Sequence, residues 1–255
     1  MLAGEHSCLP TELASQPDVQ VHIVGEQASP GCALRIGRRI VNSDFYAFLD
    51  DDDELLPHAL STGLELLQAE PAVDLVVTTG YWMSNGEPQI HIPDIGRHQD
   101  DAVDGIIERC WLYPGGGVFR ASTICAKYFE DLPDFCEWTY LAFKLALDGR
   151  NIRFLDVPTY AAYDTPGSAS KSQDFPEAVI EVLGRIRGFA LPVPTRNRLE
   201  EKYRAALHNA ADHYRRAKQL GKAWRFHLMS LKPPFTLRYV AYTRKFVRQP
   251  NAVKS

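Results

Sequence analysis

The chain has no apolar run that approaches the length needed to cross a bilayer, and its start, MLAGEHSCLPTEL, has neither the basic residues nor the apolar centre of a signal peptide. A cytoplasmic protein is expected. Cysteine is sparse and odd in number: Cys8, Cys32, Cys110, Cys125 and Cys136 are scattered without CxxC spacing, which argues against a disulfide framework and a structural zinc site and for reduced thiols. There is no GxxxxGK[ST] segment, and the one glycine cluster, Gly115 to Gly117, is neither GxGxxG nor at a first βα turn, so nucleotide kinases and dehydrogenases are disfavoured. The eight histidines show no zinc pattern; His208 and His213 are five apart, off a shared helix face.

What is present is enough for a sizeable core, since 45% of 255 residues are hydrophobic. The net charge of −4 hides a division. Residues 1–195 hold 13 basic and 29 acidic side chains, and residues 196–255 hold 15 basic and 3 acidic. A tail this positive is compatible with contact to the anionic inner leaflet of a membrane or to a lipid phosphate, and equally with a solvated helical surface. No nucleic-acid partner is expected.

Val19 to Val24 and Phe45 to Leu49 read as buried strands. Between them, Pro30 and Gly31 open a helix whose segment Ala33 to Val41 mixes apolar residues with Arg35, Arg38 and Arg39. Pro57 fits the first position of a second helix, His58 to Ala69, and Asp74 to Thr79 is the next strand. This β-α-β-α-β alternation implies a mainly parallel sheet flanked by helices, with ligands beyond the carboxyl ends of the strands. Residues 84–104 lack periodicity and read as a long loop. There follow a short helix near Ile106 to Cys110, the segment GGGVFRAS, helices at Thr123 to Phe129 and Glu137 to Leu147, and a strand at Ile152 to Val157. From Phe175 onward the chain reads as successive helices, and Leu199 to Leu231 has the pattern of a helical hairpin. Two domains are expected, 1–172 and a basic helical extension, 173–255.

The most informative residues are FLDDDDELLP, where an apolar strand delivers Asp50, Asp51, Asp52 and Asp53 in succession. Two unit charges about 5 Å apart at an effective dielectric of 20 repel by roughly 3 kcal/mol, so convergent carboxylates must splay into water, protonate or hold a cation. Mg²⁺ or Mn²⁺, which takes carboxylate and phosphate oxygens together, would make this a diphosphate-holding site. The competing reading is a solvated acidic turn ahead of the helix at Pro57.

The order of these segments resembles the inverting, GT-A fold glycosyltransferases of family 2 over roughly Gln20 to Ser172. SPGCALRIGRRI is similar to the family's S-x-G-x-x-x-A-R-N-x-G segment, with Arg35 in the arginine place and Ile36 replacing asparagine. The acidic run resembles the D-x-D-D element, often called DXD. The resemblance implies donor contacts from Arg35, Asp50, Asp51 and Asp52, with Asp52 holding the metal, Asp50 reaching the ribose or the metal, and a third ligand unassigned. PGGGVFRAS resembles the stretch leading to the acceptor side, where Gly116 and Gly117 would let substrate approach the backbone; a tight turn before a strand is the other reading. FCEWTYLAFKLALDG matches the family's acidic pair in spacing, with Glu137 on the glutamate and Trp138 on the aspartate, which puts Trp138 on the acceptor side. Glu137 is then the expected base, with Asp134 the alternative; a cap on its own helix is the other reading of Glu137. The segment YAAYDTPGSASKS, with Tyr163, Ser168, Ser170 and Lys171 as phosphate contacts, stands where the family usually has a histidine or arginine. The family's first strand and helix have no counterpart here.

The implied fold is α/β: a Rossmann-like GT-A domain of mostly parallel sheet with flanking helices, followed by an α-helical C-terminal extension. The implied activity is hexosyl transfer from a nucleotide-sugar donor to a saccharide or lipid-linked acceptor in bacterial cell-surface polysaccharide biosynthesis. The alternatives are a non-catalytic nucleotide- and metal-binding relative, or a scaffold acting through its basic tail.

Overall fold

The computed structural model describes residues 2–4, 16–24, 29–84, 86–165, 168, 171–232 and 237–247. The chain divides into two compact units, Met1–Lys171 and Ser172–Ser255. It is an α/β protein with a helical C-terminal part, as the sequence implies.

In the first unit, strands β1 (Leu2–Gly4) and β2 (His22–Val24) pair in parallel as a small separate sheet. The main sheet joins β3 (Phe45–Ala47), β4 (Glu54–Leu55), β5 (Leu75–Ser84), β6 (Glu87–Ile90), β7 (Gly117–Arg120) and β8 (Ile152–Tyr163). Its order is β3-β7-β5-β8-β4, with β6 on the distal half of β5. The expected mainly parallel sheet is a mixed one. Within this main sheet only β5 and β8 run parallel, and its other pairings among the described residues are antiparallel. The reason is β7. It returns between β3 and β5 against both, so strands that follow each other through helices are not sheet neighbours.

The helices form where local chemistry starts and stops them. Helix α1 (Pro30–Ile40) begins with Pro30 in the first turn and with the Ser29 hydroxyl accepting from the Cys32 amide, a cap that contributes about 1 kcal/mol. Arg38, buried on its last turn, donates to the carbonyls of Ile124 and Ala121 and lies over the Tyr46 ring at 4.6 Å, fixing α1 to the turn after β7. Helix α2 (Ala59–Ala69) packs Gly63 against Val118 of β7 so closely that a Cβ there would lie 2.5 Å from a Val118 methyl. Its leucines close a core of Leu67, Val73 and Val76 with Phe45, Val118 and Leu155. Helix α3 (Ala102–Glu108) starts four residues earlier than its sequence pattern implies, capped by Asp101. Helix α4 (Glu137–Leu147) carries a nearly all-buried face from Trp138 to Leu145.

Residues 84–104 are more ordered than expected. Gly86, at φ +84°, turns β5 into the antiparallel β6, and a 3₁₀ turn spans Ile95–Gln99. The helix expected at Thr123 to Phe129 is a 3₁₀ turn, Ala126–Phe129.

The second unit is built from α5 (Phe175–Ile186), α6 (Val193–Arg216), α7 (Leu220–Ser230), α8 (Leu237–Tyr242) and α9 (Arg244–Val247). Small residues Ala210, Ala211 and Ala223 let α6 and α7 approach, and Leu207, Tyr214, Phe226 and Phe246 fill the space between. The Tyr214 hydroxyl donates to Glu177 at 2.7 Å, so its buried oxygen is not left unpaired. No helix among the described residues is long and apolar enough to cross a membrane.

Candidate functional site

The acidic run folds as a tight turn at the end of the β3 segment. The Asp53 amide donates to the Asp50 carbonyl, which brings residues i and i+3 together. Immediately afterwards β4 pairs with β8, Glu54 opposite Ala161 and Leu55 opposite Tyr160, so the turn is held against the end of β8. Ligand atoms of Asp50, Asp52 and Asp53 lie within 4.8 Å of one another. Asp51 is exposed and outside this trio, although its charge acts on both Asp50 and Asp53.

Asp53 is the member the sequence reading left out of the ligand set. Its Oδ1 accepts from the Tyr163 amide at 3.2 Å, and Tyr113 faces the same carboxyl. Its Oδ2 is closed off from water with no properly oriented hydrogen-bond donor among the described residues. An acceptor-only atom buried beside two further carboxylates is accommodated by protonation, to which the raised Asp53 carboxyl is inclined, or by a cation. Hard oxygen ligands in this number fit Mg²⁺ or Mn²⁺, which leaves coordination positions for phosphate and water.

The electrostatics agree with the geometry. Asp50 is accessible to water yet set in a dense part of the molecule, and loss of hydration together with the charges of Asp53, Glu137, Asp52 and Asp51 pushes its carboxyl up to about 7. Burial raises Asp53 to about 6, against the lowering effect of the Tyr163 amide. Glu137 opens α4 after Cys136, whose left-handed backbone (φ 55°) turns the chain into the helix. Its half-buried carboxyl is pushed up to about 7, by burial first and by Asp134 second. The charge of Glu137 is among those that raise Asp50, so the first turn of α4 lies within electrostatic reach of the acidic turn.

Residues at and just after the end of β8 bond to the acidic turn and to Glu54. The Tyr163 hydroxyl donates to Glu54, the Thr165 hydroxyl donates to Asp52 at 2.9 Å, and Lys171 donates to the Thr165 carbonyl while pairing with Asp164 at 2.6 Å. Ser170 lies outside the described residues.

The remaining sequence-predicted residues have other neighbours. Arg35 reaches Cys32 Sγ within its own helix, and its buried Nε has no partner among the described residues. The N-terminus of α1 abuts the loop before α4, where a Cβ on Gly31 would lie 2.5 Å from the Pro133 carbonyl. Asp134 is exposed in that loop. Trp138 is buried edge-on to Phe48 at 5.5 Å, in an aromatic group with Tyr46, Phe119 and Phe129. Gly116 and Gly117 are buried, and the groups that approach them are the protein's own rings, Tyr160 at 2.8 Å and Phe119 at 2.9 Å from their would-be Cβ atoms. The glycine turn also donates from Gly115 to the Phe48 carbonyl, two residues before Asp50, and so helps to set the height of the acidic turn.

Among known proteins, no family model matches the sequence, and no curated protein matches it. Among solved structures the chain is similar to the mannosyltransferase PcManGT from Pyrobaculum calidifontis, solved in complex with GDP-Man and Mn²⁺, at 14% identity and a TM-score of 0.48. The likeness covers 92% of this chain and 64% of that one, so the chain spans under two thirds of that structure's length.

Proposed function

We propose that the chain is an inverting, metal-dependent glycosyltransferase of the GT-A type that moves a hexosyl group from a nucleoside diphosphate donor to a saccharide or lipid-linked acceptor. The observation that carries this reading is the meeting of two unlike acidic sites. One is a carboxylate trio, Asp50, Asp52 and Asp53, whose ligand atoms lie within 4.8 Å of one another; the other is the carboxyl of Glu137, raised by burial and by Asp134, whose charge acts on Asp50.

Asp50, Asp52 and Asp53 would hold the divalent ion, and Asp51 and Arg35 would serve the donor. When bound, the ion supplies charge compensation for the departing diphosphate. Glu137 removes the proton of the acceptor hydroxyl as that oxygen forms its bond to the anomeric carbon. The carbon–oxygen bond to the diphosphate breaks, and the electron pair leaves with the nucleoside diphosphate. A carboxyl ionising at about 7 suits this task, since at neutral pH it is present in part as base and is basic enough to take a proton in the transition state. Tyr163 and Thr165 bond to the acidic turn and Lys171 to the Thr165 carbonyl, and Lys171 and Ser168 would face donor phosphates there. The basic helical unit would bring the enzyme to the anionic cytoplasmic surface of a bacterial membrane, where lipid-linked acceptors for surface polysaccharide reside.

The test is release of nucleoside diphosphate from a panel of UDP-, GDP- and dTDP-sugars with Mn²⁺, in wild type and Glu137→Gln. Metal-dependent release in the wild type that drops at least about 100-fold in the variant is expected. Equal release by both proteins would remove Glu137 from the role of base, and no release from any donor would overturn the assignment.

A further inference from the structure

Asp51 and Asp52 are neighbours in the acidic turn and both are exposed, yet only Asp52 joins Asp50 and Asp53 in the trio whose ligand atoms lie within 4.8 Å of one another. An exposed carboxylate beside two others is pushed outward by their charge, and its staggered side-chain rotamers let it swing into water. Asp52 is held against that push. The Thr165 hydroxyl donates to its Oδ2 at 2.9 Å, the only hydrogen bond on the Asp52 side chain among the described residues, whereas the Asp51 carboxylate accepts none there. Bonded through Oδ2, Asp52 keeps Oδ1 for an ion.

Thr165 is itself fixed. Its amide donates to the Tyr163 carbonyl at 3.0 Å, and its carbonyl accepts from the Ser168 amide at 3.3 Å and from Lys171 Nζ at 2.8 Å. Lys171 in turn pairs with Asp164 at 2.6 Å. Thr165 is half-buried, and its branched Cβ restricts the directions in which the hydroxyl can point. Two residues earlier, at the end of β8, the Tyr163 amide donates to Asp53 Oδ1 at 3.2 Å. One short stretch of chain therefore bonds two of the three carboxylates. Asp53 is held by a backbone amide, which no substitution short of proline removes, and Asp52 by a hydroxyl, which a single substitution deletes.

We propose that Thr165 is a positioning residue for Asp52: its hydroxyl keeps the carboxylate turned toward Asp50 and Asp53 before a divalent ion arrives, so that binding does not have to order it. This rests on the reading of the trio as a metal site and adds to it a residue outside the ligand set, 113 positions along the chain from the carboxylate it orients. Hydrogen bonds that orient metal ligands from outside the coordination shell change metal affinity about 10–100-fold, and a single hydroxyl on an exposed carboxylate belongs at the low end of that range.

The experiment measures Mn²⁺ binding to the full-length protein by water-proton relaxation enhancement, without nucleotide, in wild type, Thr165→Val and Thr165→Ser. Urea unfolding in EDTA is followed for the same three proteins. Thr165→Val keeps the branched shape and loses the hydroxyl, so Mn²⁺ affinity should fall about tenfold while the urea midpoint in EDTA stays where it is. Thr165→Ser restores the donor and should bind within about threefold of wild type. Equal Mn²⁺ affinity in wild type and Thr165→Val would overturn the proposal and leave the trio standing as a metal site. A serine variant as weak as the valine variant would also overturn it, as would a loss of affinity matched by a fall of the midpoint in EDTA, because either pattern marks a residue that only ties down the chain after β8. No Mn²⁺ binding by the wild type would remove the metal site itself, and the proposal with it.

Discussion

Glu137→Gln separates the two consequences of burying a carboxyl at the start of α4. Glu137 ionises at about 7 instead of 4.5. At 1.36 kcal/mol per unit, that gap sets an upper limit of about 3 kcal/mol on the cost of keeping the carboxylate folded at high pH, and partial exposure reduces the expected figure to about 1–2 kcal/mol. The folded-state value lies above the unfolded one, so the wild type retains its full stability below pH 4.5 and loses it as pH rises toward 7. Glutamine does not ionise. The variant should therefore match the wild type at pH 4, gain on it through pH 4.5 to 7, and stay ahead by about 1–2 kcal/mol at pH 8. Urea unfolding in EDTA, followed by tryptophan fluorescence with Trp138 adjacent to the mutated site, would show this as a rise of about 0.5–1 M in midpoint at pH 8. The same variant should lose about 100-fold or more in turnover. A stability difference independent of pH, or a variant less stable than the wild type at pH 8, would refute the desolvated carboxyl on which the base assignment rests.

Mn²⁺ should raise the melting temperature far more at pH 8 than at pH 5.5, because Asp50 and Asp53, with values pushed up to about 7 and 6, must ionise to hold it. At 100 times Kd the gain is about 2.7 kcal/mol, and an equal shift at both pH values would contradict the ligand set. Arg38→Ala leaves the Ile124 and Ala121 carbonyls without their donor and exposes the Tyr46 face, so a loss of about 2–4 kcal/mol is expected in urea unfolding. Arg39→Ala, which removes only an exposed pair with Glu130, should cost no more than about 1 kcal/mol. Gly63→Ala drives a methyl into Val118 and should cost about 1–3 kcal/mol, whereas Gly221→Ala, with open space around it, should not destabilise the fold.

What the sequence disclosed about the fold were the segments that carry their own signals. Pro30 with Gly31 marks the start of α1, the leucines of 60–67 mark α2, and Gly149, at φ +66°, marks the end of α4. The direction of the strands was hidden, because chain order cannot tell that β7 returns between β3 and β5. Strands β4 and β6 were hidden too: one has two residues, and the other, EPQI, is exposed at every position and paired on one side only. Of the site, the convergence of carboxylates was legible from four consecutive aspartates behind an apolar strand. The part played by Asp53 was not, since it follows from the turn that brings residue 53 back to residue 50 and from the Tyr163 amide far along the chain. The glycines of PGGG announced a close approach, but not by what; Tyr160 and Phe119 lie more than one residue away in sequence and are found only in the folded sheet.

Calorimetric titration of UDP, GDP and dTDP into the protein, with and without Mn²⁺, tests the central claim most directly, with Asp52→Ala and the exposed Asp100→Ala alongside the wild type. The account predicts that one nucleotide binds only with metal, that Asp52→Ala abolishes this binding, and that Asp100→Ala leaves it unchanged. Failure of all three nucleotides to bind with Mn²⁺, or equal binding by the two variants, would contradict it.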